Sequence, residues 1–162
     1  MTEKMGRFET WQGFEDRFVA AMAVLASEPL DVFMIDTDFH HWPLGSRAVV
    51  DAFHQWIMQA KSGHCTLLGR DFSRIKTDHP RWVQWRQPWA HRVHCKQIPA
   101  DEGLNLLPTL VLRGNLGIRV QDPISGAGIW TRDVGQIGDW SLEIDVISQR
   151  SHEATLSTTL GL

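Results

Sequence analysis

Tyrosine is absent from this 162-residue chain, and cysteine occurs only twice. Cys65 and Cys95 stand far apart, so neither a zinc knuckle nor a redox-active Cys-x-x-Cys pair is available. Both lie in apolar runs and read as buried free thiols. No uninterrupted apolar run approaches the roughly 18 residues of a membrane span. The stretch from Met1 to Arg7 has no apolar signal core, so the cytoplasm is the expected compartment. A net charge of −3 excludes a polybasic coat for nucleic acid or membrane. The sequence also lacks a Gly-x-Ser-x-Gly elbow, a Walker loop, a dinucleotide fingerprint and a His-Glu-x-x-His helix. Neither a cofactor nor a metal is therefore expected. His40 and His41 are adjacent and cannot chelate as a helical pair. Asp36, Asp38 and His40, at alternate positions, form only a thin three-ligand pattern.

What the chain does contain suits one α/β domain, residues 1–162, with residues 1–7 and 156–162 as flexible tails. Hydrophobic residues make up 43% and charged residues 22%, as in ordinary globular proteins. A chain of this length can bury roughly two-thirds of its unfolded surface without a metal or disulfide. Helical spacing of Trp11, Phe14, Phe18, Ala21, Met22 and Leu25 predicts a first helix from about Thr10 to Ser27. Val32 to Ile35 is a short apolar run, read as a buried strand of a parallel sheet. Ser46 is a good N-cap for a second helix reaching about Lys61, and Cys65 to Leu68 reads as the next strand. Thr77 or Asp78 can cap a third helix, with Pro80 in its first turn and Pro88 ending it. Arg92 to Ile98 alternates as a third strand, with His94 and Lys96 on the face opposite Val93 and Cys95. Leu110 to Leu112 and Leu116 to Val120 form a hairpin around Gly114-Asn115. Asp122 to Gly128 reads as a loop, and the last helix should run from about Val134 to Ala154. The expected fold is a mixed open sheet of five to six strands flanked by helices.

Ligands of open α/β sheets bind beyond the carboxyl ends of the strands. The exits of the first two strands hold Asp36, Asp38 and His40, then Arg70, Asp71, Arg74 and His79, so these seven are the candidate ligand-binding residues. Arg70 and Arg74 suit an anion, and Asp71 suits the orienting of His79. The same residues also suit plain turns and helix caps. The segment from Arg70 to Lys96 carries seven basic and two acidic residues. Within it, Trp82, Trp85 and Trp89 follow one helical face, with Arg81, Arg86 and Arg92 close by. This stripe reads as a protein interface, as a stacking platform for single-stranded nucleic acid, or as a face packed on the sheet. Trp42 and Trp130 are expected to be exposed members of such an interface.

These features together resemble one half of the phospholipase D-like fold, and in particular bacterial domains of that fold without a well-placed motif. The residues that carry the resemblance are Val32 to Ile35 with its Asp-rich exit, Leu67-Leu68-Gly69-Arg70-Asp71, Asp78-His79-Pro80 opening a Trp-bearing helix, His91-Arg92-Val93-His94 leading into the third strand, the hairpin, and the last helix with its Trp. Phospholipase D enzymes carry His-x-Lys followed after four residues by Asp, on the strand of the hairpin. The string occurs here as His94, Lys96 and Asp101, but one strand early and with Pro99 in the spacer. The equivalent hairpin reads Leu107-Pro108-Thr109-Leu110-Val111-Leu112-Arg113-Gly114, with none of the three residues in place. The resemblance implies either a non-catalytic domain that binds a phosphate-bearing ligand or a protein partner, or a homodimeric phosphodiesterase pairing His94 and Lys96 across two subunits. A structural or regulatory module with a Trp-rich interface is the third reading.

Overall fold

The structure, a computed structural model, describes residues 3–100, 106–154 and 156. Its elements follow in chain order. Strand β1 (Met5–Phe8) leads into helix α1 (Trp11–Ser27), which starts where the Thr10 side chain accepts from the Gly13 amide at 3.1 Å. Strand β2 (Val32–Ile35) precedes α2 (Arg47–Gln59), capped by Ser46 through the Val49 amide at 3.2 Å. Strand β3 (Cys65–Gly69) is followed by a single turn, α3 (Ile75–Asp78), and by α4 (Pro80–Arg86). The N-cap of α4 is therefore His79 rather than Thr77 or Asp78, and Pro80 takes the first position, where its missing N–H is harmless. Strand β4 (Val93–Gln97) comes next. Strands β5 (Thr109–Leu112) and β6 (Leu116–Asp122) form the expected hairpin, with Gly114 at φ 78°. Strand β7 (Ala127–Thr131), helix α5 (Val134–Arg150) and the two-residue strand β8 (His152–Glu153) complete the order.

The eight strands among the described residues form one sheet in the order β1-β7-β6-β5-β2-β3-β4-β8. Strands β2, β3 and β4 are parallel, and every other pairing is antiparallel. The sheet thus exceeds the five to six strands expected from the sequence. The three additions are β1, which begins in the expected N-terminal tail, β7, which begins at the end of the expected loop and runs on to Thr131, and β8, where α5 stops four residues short of Ala154. No helix among the described residues is long and apolar enough to cross a membrane.

The two faces of the sheet are covered unequally. Helices α1, α2 and α4 bury the larger core on one face, including Phe14, Phe18, Phe53, Trp56 and Trp82. Among the described residues, helix α5 alone covers part of the other face, setting Ile137, Trp140 and Ile144 on Ile35, Leu68, Ile98 and Val111. Trp42 and Trp130, expected at the surface, are 1% and 6% exposed. Trp42 is wedged among Phe14, Phe18 and Phe39, and Trp130 lies under the Arg17 guanidinium.

Candidate ligand-binding site

The exits of β2 and β3 do carry the predicted polar residues, but most of these side chains hold the chain itself. Asp36 is buried, accepting from the Thr37 amide at 2.7 Å and from the Trp42 indole Nε1 at 2.9 Å. Burial pushes its carboxyl up to about 6, against the pull of those two donors. His79 is also buried, and its Nε2 donates to the Phe39 carbonyl at 2.9 Å. Desolvation lowers its basicity. Phe39 sits at φ 59°, a conformation non-glycine residues seldom adopt, and is fixed there by His79 and by packing on Trp42 and Phe72. Asp38 and Asp71 accept from amides two residues ahead, those of His40 and Ser73, which makes both of them turn formers. Asp71 therefore serves Ser73 rather than orienting His79, and its carboxyl is held below the usual range by hydrogen bonds from the Ser73 side chain and amide. His40 and Arg74 both approach Asp78, at 3.3 and 3.7 Å, on the surface. Arg70 borders an open hollow of about 470 Å³ with Lys76, Ser73 and Gln97, and the ionised Asp71 borders it too. That carboxylate opposes the gathering of phosphate by the two cations.

The Trp stripe divides. Trp82 is fully buried against Phe53, so it cannot meet a partner. Trp85 and Trp89 are half-buried, with the Trp85 indole donating to His54 Nδ1 at 3.2 Å and Trp89 packing beside the same ring. The nearby arginines bind backbone carbonyls. Arg81 donates to Gly45 and buried Arg86 to Val93, while Arg92 donates to Ile57, Ala60 and Gly63, closing the carboxyl end of α2. Arg86 and Arg92 are thereby turned inward, whereas Arg81 stays exposed and commits one N–H to the Gly45 carbonyl.

Strand β4 alternates as expected. Val93 and Cys95 are buried in the main core, while His94 and Lys96 lie on the opposite face. Both cysteines are free and buried, and burial pushes the Cys95 thiol up to about 12. Lys96 donates from Nζ to the Ser148 carbonyl at 2.8 Å and to its hydroxyl at 3.0 Å, near the end of α5. His94 is held between Glu153 at 3.4 Å and His64 at 3.2 Å. Neither side chain borders the hollow at the strand exits, and Asp101 lies outside the described residues.

The sequence reading missed a groove of about 450 Å³ between α5 and the sheet face it only partly covers. Ile35, Leu106, Leu107, Ile144, Val146 and Ile147 give it apolar walls, with Arg119 and Glu143 as its charged residues. Arg119 stands opposite Thr109 in the β5–β6 register and donates from Nε to the Thr109 hydroxyl at 2.9 Å. Its guanidinium lies over the Trp140 ring at 4.5 Å, and its Nη2 meets Glu143 at 2.9 Å. The Arg119 side chain is 17% exposed and that of Glu143 57%, so one partner is fixed and the other borders water. One signal was legible in advance: Arg119 interrupts the apolar Leu116 to Val120 strand on the face opposite Ile118 and Val120.

No family model matches the sequence, and no curated protein matches it. Solved structures do match. A phospholipase D family member, Nuc from Salmonella typhimurium, superposes with a TM-score of 0.58 at 6% identity, covering 93% of this chain and 99% of that one. NucT from Helicobacter pylori does so with a TM-score of 0.54 at 10% identity, over 93% of this chain and 99% of that one. TrmBL2, an archaeal chromatin protein described as showing a novel mode of DNA binding, gives a TM-score of 0.65 at 9% identity over 94% of this chain. The chain spans about half of TrmBL2, 54% of its length. These likenesses are of fold, and they give this chain the phospholipase D-like fold.

Proposed function

We propose that this is a non-catalytic phospholipase D-like domain that binds a ligand in the groove beside α5 instead of cleaving phosphodiesters. The observation that carries the reading is the β5–β6 hairpin. With the motif's spacing laid on it, His, Lys and Asp would fall at Leu107, Thr109 and Gly114. None of these offers a nucleophilic imidazole, an ammonium for phosphate oxygens or a carboxylate. The displaced string does not replace them, because neither Lys96, which is held by Ser148, nor His94 borders the groove beside α5 or the hollow at the strand exits. TrmBL2 shares the fold and is described as DNA-binding. For this chain, the inward-turned, carbonyl-bound Arg86 and Arg92 speak for a ligand other than nucleic acid.

The test is hydrolysis of bis(p-nitrophenyl) phosphate and of single-stranded DNA, with and without EDTA, beside a His94→Ala control. The expected result is release at the uncatalysed rate in every arm. EDTA-resistant turnover abolished by His94→Ala would restore the His94 and Lys96 string and overturn the non-catalytic reading.

A further inference from the structure

We infer that the groove beside α5 takes an alkyl carboxylate, with its chain along Leu107, Ile144 and Ile147 and its carboxylate on Arg119. This rests on the reading that the groove binds rather than cleaves. A volume of about 450 Å³ lies in the range of small-molecule sites, and apolar walls with one charged anchor suit an amphiphile. The anchor is built into the fold. Thr109 takes the Arg119 Nε–H and Trp140 supports the plane of the guanidinium, so its position does not depend on Glu143. Glu143 occupies Nη2 from an exposed position on α5, and it can turn into water when another carboxylate arrives. The exchange replaces one charge-assisted pair by another and adds burial of the alkyl chain.

The charge count selects the head group. One guanidinium balances one negative charge, and Glu143 remains close by. A phosphate monoester, carrying nearly two charges at neutral pH, would leave one unbalanced beside that carboxylate. A neutral alcohol would gain the apolar contacts without the ion pair.

The experiment is calorimetric titration of the full chain with decanoate, decyl phosphate and decanol below their aggregation concentrations. Decanoate is expected to bind one-to-one with a Kd below about 1 mM, more tightly than either analogue. Arg119→Gln should weaken decanoate by roughly tenfold or more, the scale of a lost charge-assisted hydrogen bond, with decanol unchanged. Glu143→Gln, a surface change on α5, should tighten decanoate several-fold by removing its competitor. Leu107→Asp should abolish all binding. Thermal melts identify any variant that has not folded, and if Arg119→Gln is one, Glu143→Gln and Leu107→Asp still decide. No decanoate binding, equal binding of decanol, tighter binding of decyl phosphate, or no gain in Glu143→Gln overturns the assignment. Absence of decanoate binding together with absence of hydrolysis removes this ligand class and leaves the non-catalytic reading standing. Hydrolysis removes that reading whatever decanoate does.

Discussion

Gly128→Ala is expected to destabilise the fold by about 3 kcal/mol, while Gly138→Ala stabilises it by about 1 kcal/mol. The two glycines differ in what a methyl group would meet and in the element that holds them, a strand for Gly128 and a helix for Gly138. At Gly128, the second residue of β7, a Cβ would stand 2.1 Å from the Arg119 carbonyl oxygen and 2.8 Å from both Phe8 Cζ and the Val120 Cα. Two of those neighbours are backbone atoms of β6, which cannot rotate aside. Strand β7 would have to move away from β6 and carry β1 with it, since Phe8 pairs with Gly128. At Gly138, on the exposed side of α5, nothing lies within 4 Å of the added carbon. There alanine only restricts the unfolded chain and favours the helix. Urea unfolding of the two variants and the parent measures both effects. Hydrogen exchange at Met5–Phe8 should rise in Gly128→Ala before the rest of the sheet responds. Equal stabilities of the two variants would mean that β7 does not pack as closely as described.

The same glycine explains much of what the sequence did and did not disclose. Pro123, Gly126 and Gly128 made the segment from Asp122 to Gly128 read as a loop. Gly128 is instead the residue that lets three antiparallel strands approach each other. Strand β1 is equally hard to read, because Met-Gly-Arg-Phe has no apolar alternation and its partner lies more than a hundred residues away. Helices α1 and α2, by contrast, were legible, since their caps and apolar faces are local. So was the alternation that put His94 and Lys96 together on one face. At the site, composition misled in a specific way. Asp36 and His79 are the polar residues a strand exit offers to ligands, yet both are buried and hold the loop. The clue is Trp42, six residues after Asp36, whose indole N–H needs an acceptor once the ring is buried. The groove was invisible because Leu107, Arg119 and Ile147 meet only after α5 folds back over the hairpin.

Acidification should strengthen the parent fold relative to Asp36→Asn by about 2 kcal/mol between about pH 7 and about pH 4.5. The carboxyl of Asp36 rises from 3.8 to about 6 on folding, chiefly because burial disfavours its charge. Between those two values the folded chain holds a proton that the unfolded chain has released. The contribution is therefore fully present below 3.8 and is lost as pH rises through about 6. Its upper limit is about 3 kcal/mol. His79 and His94 act in the opposite sense. Burial lowers both, so their contribution is present above 6.5 and is lost as pH falls through their folded values. The parent's stability alone can thus look flat across this range, whereas its difference from Asp36→Asn cancels the histidines and isolates the carboxyl. Urea unfolding of both proteins at matched pH values gives that difference. Trp42→Phe removes the indole donor that partly offsets burial, so in that background the Asp36 carboxyl should rise further and the pH-dependent gain should start at higher pH. Parallel curves for the parent and Asp36→Asn would mean that the carboxyl is solvated, and that Trp42 does not seal it from water.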